Sequence, residues 1–359
     1  MRRGRRIVFV GAGHPLQLWE GEISDPPPGA VLVRTTIAGV CGTDAHRLDG
    51  DLPDPGYPVT LGHEGVGIIE ALGAGVSTDA AGTPVGPGDP VYWSPASDQP
   101  GVPSPPGWPA PADVPSLAAY QDYATLPPSN AFFRIPDDTS PEAVIAFGCA
   151  MPTALGGMTR LGGIGPGQTV VVQGCGPVGL ASTLLASLSA TRQVIVIGAP
   201  ESRRRMAEVL GASTTIPLES TTSDERLQRI RDLTEGRGAD VVIEAAGQMS
   251  AFEEGMCLLA DGARYLILGL YSGRGTVAFD PIQLNNRSLA IIGSLGATQL
   301  SDYTTTIHLA RRHGTNLAFA DLITHRFPLS RTEEAIAVAR SGAAVKAVVI
   351  PSLDFGGGG

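Results

Sequence analysis

Short apolar runs separated by turn residues and amphipathic stretches dominate the middle of the chain. The runs are TVVVQG from Thr169, QVIVIG from Gln193, DVVIEAAG from Asp240, ARYLILGL from Ala263 and SLAIIGS from Ser288. Between them, LASTLLASLSA and SRRRMAEVLGA have the pattern of helices. Continuous apolar strands that alternate with helices are typical of a parallel sheet covered on both faces, and right-handed crossovers make such a sheet doubly wound. We predict a doubly wound α/β domain over residues 152–293.

The two flanking regions have a different texture. Residues 1–151 are rich in glycine, proline and β-branched residues, with strand-like runs such as AVLVRTTIAG, which predicts a mostly β, loop-rich domain. Within it, the stretch from Ser94 to Pro115 carries too many prolines for a helix or a central strand, so we expect a long irregular loop. Residues 294–359 contain a helical stretch, TTTIHLARRHG, and a closing strand, AVKAVVIP. We expect this tail to return to the first domain.

Size and charge narrow the classes of function. The chain has 359 residues with 43% hydrophobic content, enough for two domains with their own cores. The formal net charge of −10 repels phosphate backbones, so we expect no nucleic-acid partner. No run approaches the ~18 apolar residues of a membrane span, and the beginning of the chain lacks the features of a secretory signal. We therefore expect a cytoplasmic protein without a membrane partner.

A glycine-rich turn follows the first of the apolar strands. It has the sequence GCGPVG and precedes a helical stretch, which is the setting that the dinucleotide fingerprint of a Rossmann domain requires. Gly174 makes the tight turn, Gly176 lets the backbone approach a pyrophosphate, and Gly179 lets the helix pack closely on the strand. Pro177 and Val178 open the helix, whose N-terminus supplies N–H groups and the positive end of a dipole. We predict that this turn binds NAD(H) or NADP(H).

The residue that selects between these coenzymes is expected at the end of the next strand, near Gly198. An acidic side chain there would bind the adenosine ribose and repel the additional phosphate of NADP, but this chain has glycine. Glu201 and Arg203 follow, with two further arginines behind them. The arginines permit NADP, the glutamate is consistent with NAD, and the arginines are equally consistent with a solvated helix face. The sequence leaves the choice of coenzyme open.

Three segments around the first domain concentrate metal-binding side chains. GVCGTDAH contains Cys41, GHEGVG contains His63, and FGCAMPT contains Cys149. Two thiolates and an imidazole are preferred zinc ligands, and three protein ligands leave a fourth position for water or substrate, as in catalytic zinc sites. Taken singly, such a cysteine is more often a core residue. The four cysteines are widely spaced and include no CxxC pair, so neither a zinc finger nor a disulfide framework is expected.

The order and spacing of these segments resemble one known family. GVCGTDAH, GHEGVG with the later PGDPV, FGCAMPTALGG, QGCGPVG, GADVVIEAAG and SGAAVKAVVIP are similar to the medium-chain, zinc-containing alcohol and polyol dehydrogenases over essentially the whole chain. The resemblance implies a mostly β catalytic domain similar to a GroES barrel and a Rossmann domain. It also implies an oxidoreductase that transfers a hydride between a small-molecule alcohol, or the matching aldehyde or ketone, and NAD(P).

The resemblance assigns roles around the metal. Cys41, His63 and Cys149 match the ligands of a catalytic zinc. Asp44 matches an acid that orients the histidine ligand. Glu64 matches a carboxylate beside the metal that approaches it during ligand exchange, although a carboxylate that never binds the metal is the more common case.

Further roles concern the substrate and the coenzyme. The resemblance implies that Thr43 bonds the substrate oxygen and that His46 is the outer end of a proton relay; His46 is also consistent with an ordinary surface histidine. Thr153 matches a residue against the nicotinamide ring. Lys346, the only lysine in the chain, matches a basic contact to the pyrophosphate.

The chain also departs from the family pattern. Relatives often carry a lobe with four cysteines that hold a structural zinc, but the proline-rich stretch contains none, so we expect one zinc per subunit. Gly42 and Pro90 stand where basic residues occur in relatives. Tyr92 and Trp93 follow PGDPV, at a position near the active-site cleft in the family, and are at least equally consistent with the β-domain core.

Two alternatives stay open. One is a zinc-free quinone or enoyl reductase of the same superfamily, which the complete ligand set disfavours. The other is a catalytically silent nucleotide-binding protein, which the ligands and relay residues together disfavour.

Family members are usually homodimers or homotetramers joined through the Rossmann sheet edge, and SLAIIGS is the expected edge strand.

Overall fold

The computed structural model describes residues 2–53, 56–97, 116–272 and 275–355. The chain divides into two compact units. The first unit comprises residues 1–149 and 299–359, and the second comprises residues 150–298. The limits expected from the sequence, after residues 151 and 293, lie close to these divisions.

The N-terminal part of the first unit is mostly β. Its elements are β1 (Arg2–Phe9), β2 (Gln17–Ile23), β3 (Val31–Gly39), α1 (Gly42–Leu48), β4 (Val59–Thr60), β5 (Gly65–Leu72), β6 (Pro90–Ser97), β7 (Tyr123–Leu126), β8 (Asn130–Arg134) and α2 (Pro141–Ile145). The irregular loop was expected to begin at Ser94, but the structure corrects this start. The first four residues of that stretch, 94–97, belong to β6. Residues 98–115 of the expected loop lie outside the described residues.

The second unit alternates helices and strands. Its elements are α3 (Ala150–Leu161), β9 (Thr169–Gln173), α4 (Pro177–Leu188), β10 (Gln193–Gly198), α5 (Glu201–Val209), β11 (Thr214–Pro217), α6 (Ser223–Leu233), β12 (Ala239–Glu244), α7 (Met249–Leu258), β13 (Leu259–Ile267), α8 (Ile282–Arg287) and β14 (Ala290–Gly293). Among the described residues, these strands form a parallel sheet in the order β11-β10-β9-β12-β13-β14. This is the Rossmann order, whose switch point lies between β9 and β12. The predicted doubly wound fold is confirmed.

The C-terminal part of the chain completes the first unit. Its elements are α9 (Ser301–His313), β15 (Ile323–Phe327), α10 (Thr332–Ser341) and β16 (Lys346–Val349), with short 3-10 helices at Phe319–Leu322, Leu329–Arg331 and Pro351–Phe355. In the described part of this unit, one sheet runs β15-β16-β3-β5-β6-β8 with β7 also paired to β3, and a smaller sheet runs β2-β1-β4. Pairing of β16 with β3 brings the end of the chain beside the segment that leads into α1.

Candidate functional site

Separate segments of the first unit bring two sulfurs and a ring nitrogen together. Cys41 precedes α1, His63 lies between β4 and β5, and Cys149 follows α2. Sγ of Cys41 is 3.6 Å from Sγ of Cys149, which is 3.8 Å from Nε2 of His63. One donor atom from each of these residues and from Glu64 lies within 4.8 Å of the others. The structure therefore brings together the three residues expected to bind metal.

The spacing of these atoms fits tetrahedral zinc. Zinc bonds of roughly 2.3 Å to sulfur and roughly 2.0 Å to nitrogen separate two sulfurs by roughly 3.8 Å and a sulfur from a nitrogen by roughly 3.5 Å. The observed distances of 3.6 and 3.8 Å are close to both values. A disulfide would need sulfurs about 2.05 Å apart, and all four cysteines are free. The residues present thus fit the metal that the family resemblance implies.

Asp44 connects the start of α1 to the histidine of the cluster. Its Oδ2 accepts the N–H of Cys41 at 3.0 Å, which caps the first turn of the helix, and also the hydroxyl of Tyr120 at 2.7 Å. Its Oδ1 lies 3.3 Å from Nδ1 of His63. That contact has the distance of an ion pair without the direction of a hydrogen bond. A carboxylate on this nitrogen turns Nε2 toward the sulfurs, as in carboxylate–histidine–zinc sites.

Charges within the cluster shift the pKa values of its members. The hydrogen bond between the sulfurs lowers the pKa of Cys41 and raises the pKa of Cys149, so the pair loses one proton readily and retains the other. Burial lowers the pKa of His63, but the charges of Asp44 and Cys41 outweigh burial and raise it overall. A cation among these groups favours the ionised form of both thiols, because metal binding and thiol deprotonation are linked.

Lys346 has a different position from the one that the resemblance implies. A pyrophosphate contact requires an accessible cation, but the side chain of Lys346 is 2% exposed. Its Nζ donates to Oε2 of Glu64 at 2.5 Å and to the carbonyl of Val40 at 2.9 Å. Burial lowers the pKa of Lys346, and the neighbouring carboxylate and thiols raise it by more. The structure therefore corrects the expectation, because this lysine is committed to Glu64 inside the first unit.

The expected relay residues lie on the same short helix. The hydroxyl oxygen of Thr43 is 3.5 Å from Sγ of Cys41. His46 lies three residues further along α1, a spacing that puts both on one helix face. Nδ1 of His46 is 2.9 Å from Oδ2 of Asp51, whose side chain is 6% exposed. Asp51 was missed in the sequence because only the return of the chain after α1 brings it to the histidine.

Tyr92 and Trp93 belong to the core of the first unit. Both side chains are fully buried in β6. The hydroxyl of Tyr92 donates to the carbonyl of Gly148 at 3.0 Å, and Nε1 of Trp93 donates to the carbonyl of Leu117 at 2.8 Å. The side chains of Tyr92 and Trp93 are therefore part of the β-domain core, which was one of the two interpretations of the sequence.

The glycine turn of the second unit has the expected backbone. Gly174 has a φ of +101°, in the region that favours glycine, and its N–H donates to the carbonyl of Ile197. Gly176 caps α4 and Pro177 occupies the first turn of that helix. A Cβ at Gly179 would lie 1.9 Å from the carbonyl oxygen of Gly174, whereas a Cβ at Gly176 would have no atom within 4 Å. Gly179 thus packs helix on strand, and Gly176 leaves space above the turn.

The three arginines that follow β10 differ in their surroundings. Arg204 pairs with Glu219 at 2.7 Å, and Arg205 pairs with Glu201 at 2.6 Å on the exposed face of α5. Arg203 is half-buried beside Cys175 of the turn, and burial lowers its pKa. A Cβ at Gly198 would lie 2.4 Å from Sγ of Cys175, so an acidic side chain at this position would displace that cysteine.

Glu244 is a buried acid that the sequence analysis did not select. It ends β12, beside the switch point of the sheet, and is fully buried. Oε1 accepts the N–H groups of Ala246 and Gly247, and Oε2 accepts the hydroxyl of Tyr271 at 2.8 Å. Burial raises the pKa of Glu244. The only available signal was an acid inside the apolar run DVVIEAAG.

Comparisons with known proteins agree with the site. Residues 27–137 match the family described as alcohol dehydrogenase GroES-like domain, and residues 177–312 match the family described as zinc-binding dehydrogenase.

Among the helices of the described residues, none has the length and apolar character needed to cross a bilayer.

Curated relatives and solved structures match nearly the full length. The 5-exo-hydroxycamphor dehydrogenase of Pseudomonas putida is 41% identical over 98% of this chain and 100% of its own. The L-threonine 3-dehydrogenase of Bacillus subtilis is 31% identical over 89% of this chain and 91% of its own. A crystal structure of an alcohol dehydrogenase from Thermotoga maritima has a TM-score of 0.89 at 29% identity, covering 98% of this chain and 100% of that one. The chain therefore belongs to the zinc-dependent alcohol and polyol dehydrogenases of the medium-chain superfamily, which are oxidoreductases that act on CH–OH groups.

Proposed function

We propose that Cys41, His63 and Cys149 hold one catalytic zinc per subunit and leave its fourth position open. The observation that carries this proposal is the convergence of two sulfurs 3.6 Å apart with a histidine nitrogen 3.8 Å from one of them. Asp44 supports the assignment, since its carboxylate faces the other ring nitrogen of His63. Zinc held by these three residues would act as a Lewis acid that favours ionisation of the substrate hydroxyl.

The residues of α1 handle the proton of the alcohol. Thr43 accepts a hydrogen bond from the substrate hydroxyl at Oγ1, which lies beside Cys41. His46, one turn further along the helix, takes up the proton at Nε2 and releases it outward. Asp51 holds Nδ1 of His46, so the neutral ring carries its proton on Nδ1 and has its lone pair on Nε2. In the reverse direction the same groups return the proton.

The second unit binds the coenzyme at the glycine turn. Gly174 and Gly176, with the N-terminus of α4 at Pro177 and Val178, contact the pyrophosphate. Gly198 and Arg203 flank the adenosine ribose, and Thr153 on α3 faces the nicotinamide. The coenzyme is NAD(H) or NADP(H), and steady-state kinetics with each distinguishes them.

The substrate class that we propose is a secondary alcohol, which yields a ketone. Both relatives named above support it, because 5-exo-hydroxycamphor and the 3-position of L-threonine carry the hydroxyl on a secondary carbon. A panel of primary and secondary alcohols, with the matching aldehydes and ketones, tests this proposal. A preference for primary alcohols contradicts it.

We further propose a homodimer or homotetramer joined through β14. This strand is the edge of the described parallel sheet and pairs only with β13. Ile291 within this strand is 37% exposed, and Leu295 just beyond it is 80% exposed. The backbone of an edge strand can hydrogen-bond to the same strand of a second copy, which would also bury these apolar side chains. A cytoplasmic location is also proposed, since a reducing compartment keeps Cys41 and Cys149 available as metal ligands.

Metal quantification combined with an activity screen tests the central proposal. We expect about one zinc per chain and oxidation of at least one alcohol class with one of the two coenzymes. A protein that contains no zinc and still reduces quinones or enoyl substrates would be the zinc-free branch. A protein that binds coenzyme but turns over no alcohol at any metal concentration would be catalytically silent.

A further inference from the structure

The buried pair of Lys346 and Glu64 lies against the metal cluster. Lys346 is 2% exposed and Glu64 is 1% exposed, with Nζ 2.5 Å from Oε2. The two residues are 282 positions apart in the sequence. The strand β3 brings them together, because it pairs with β16 on one side and with β5, which follows Glu64, on the other. An ion pair without solvent is sensitive to the loss of either partner, because the remaining charge is then buried and uncompensated.

Both carboxylate oxygens of Glu64 accept a hydrogen bond from the protein. Oε1 accepts the N–H of Cys149 at 2.9 Å, and Oε2 accepts Nζ of Lys346. Gly39 and Gly148 line the space around the carboxylate, since a Cβ on either would lie about 2 Å from Oε2. The pocket for this carboxylate is therefore made by a cation, a backbone N–H and two glycines.

The same carboxylate is close enough to bind the metal. One of its oxygens lies within 4.8 Å of the donor atoms of Cys41, His63 and Cys149, and carboxylates are common zinc ligands in proteins. A divalent cation in the cluster attracts this oxygen at short range. If the fourth coordination position is to stay open, another charged group must hold the carboxylate of Glu64 away from the metal.

We propose that Lys346 is the positioning residue that keeps Glu64 off the metal and the fourth coordination position open. The inference rests on the proposed zinc site of Cys41, His63 and Cys149. Lys346 offsets the charge of Glu64, and Glu64 in turn holds the N–H of Cys149, so the lysine also fixes the backbone at one ligand. Without the ammonium group of Lys346, Glu64 moves from its pocket to the metal and occupies the fourth coordination position.

Cobalt(II)-substituted protein and added imidazole test this directly, without reference to turnover. Cobalt(II) in a thiolate site has visible bands that shift when imidazole enters an open position. In the native sequence we expect these bands to shift with imidazole. In Lys346→Met we expect the imidazole needed for half of the shift to rise by about tenfold or more, the scale at which outer partners of metal ligands act.

Three further variants separate positioning from stability. Lys346→Arg retains the cation and is expected to respond to imidazole as the native sequence does. Lys346→Met combined with Glu64→Gln removes the competing carboxylate and is expected to restore the response. Arg226→Met breaks another buried pair, Arg226 with Glu254 at 2.6 Å in the second unit, and is expected to lower the melting temperature without changing the imidazole response.

The outcomes distinguish this inference from the proposed zinc site. Native protein that binds neither zinc nor cobalt(II) contradicts the zinc site itself. Native protein that binds cobalt(II), together with Lys346→Met that responds to imidazole at the native concentration, overturns the inference alone. A double variant that stays unresponsive also overturns it, since Glu64 is then not the group that closes the site. If Lys346→Met does not fold, Lys346→Gln is measured in its place with the same expectations.

Discussion

The metal cluster and the glycine turn reach their geometry by opposite routes. The cluster needs Cys41 and Cys149, which are 108 positions apart, and its supporting pair spans 282 positions. The turn needs only the six consecutive residues from Gly174 to Gly179, and its shape follows from a positive φ and one close helix–strand contact. The cluster therefore depends on correct pairing of a whole sheet, whereas the turn depends on the size of single residues. We therefore expect substitutions in the cluster to impair zinc binding and turnover, and substitutions in the turn to impair coenzyme binding or stability.

The largest expected effect comes from removing a sulfur of the cluster. Cys41→Ala is expected to lose zinc and to lower turnover by about 10³-fold or more, because a Lewis acid contributes several kcal/mol to the reaction. Coenzyme binding to the turn is expected to persist. Metal analysis, turnover and coenzyme titration measure the three quantities on one preparation.

A second cysteine gives the matched control for this substitution. Cys257 is exposed on α7 in the second unit, so Cys257→Ala should retain both zinc and turnover. Full turnover of Cys41→Ala without metal would contradict the zinc assignment.

Two glycines of the turn give the next largest effect. Gly176→Ala is expected to fold normally, because its Cβ would meet no atom within 4 Å, and to weaken coenzyme binding by up to about 100-fold, because the methyl group occupies the approach of the pyrophosphate. Gly179→Ala is expected to lower the free energy of unfolding by about 1–3 kcal/mol, because its Cβ overlaps the carbonyl of Gly174. Zinc content should stay the same in both.

Calorimetric coenzyme binding and thermal unfolding separate these two outcomes. If Gly176→Ala binds coenzyme as tightly as the native sequence, the turn does not approach the pyrophosphate in the proposed way. If Gly179→Ala retains full stability, the close contact between helix and strand is not required.

The contrast also explains what the sequence could predict. The five strands named from apolar runs all form in the second unit, because strands of a parallel sheet are continuous apolar runs in the sequence. This holds even for β14, whose residues at the sheet edge are mostly exposed. β11 was missed, since its sequence TTIP is not a continuous apolar run. In the first unit, most antiparallel strands were not identified individually, because their short runs are interrupted by turns and glycines.

Residue roles followed the same division. The metal ligands were predicted from motif resemblance, and the structure brings them together. Lys346 was assigned to a pyrophosphate because the sequence contains no information on which buried carboxylate β16 will meet. Tyr120 was missed for the same reason, since it supports Asp44 from a position 76 residues away in the sequence. Asp51 is only five positions from His46 and was missed because the return of the chain after α1, and not helical spacing, brings the two side chains together.

A smaller effect is expected from the proton relay. His46→Ala should lower turnover roughly tenfold to a hundredfold near neutral pH, and the loss should shrink at high pH, where hydroxide accepts the proton directly. Asp51→Asn should give a weaker loss with the same pH dependence, because it disturbs only the orientation of the ring. Zinc content and coenzyme affinity are the controls. A loss that is uniform across pH would indicate a structural role for this histidine.

The smallest effect is expected from an exposed ion pair, which contrasts with the buried pair at the metal cluster. Arg204 lowers the pKa of Glu219 through a hydrogen bond at 2.7 Å, and the glutamate is exposed to solvent. A carboxylate with a depressed pKa in the folded state contributes stability that is present above its unfolded pKa and is lost as the pH falls through the folded pKa. Glu219→Gln should therefore lower the melting temperature near neutral pH by only on the order of 1 °C, because water screens the pair. The difference from the native sequence should vanish as the pH falls below the depressed pKa of Glu219. A difference that stays constant into acid would mean that packing of the side chain, and not its charge, stabilises this corner of the second unit.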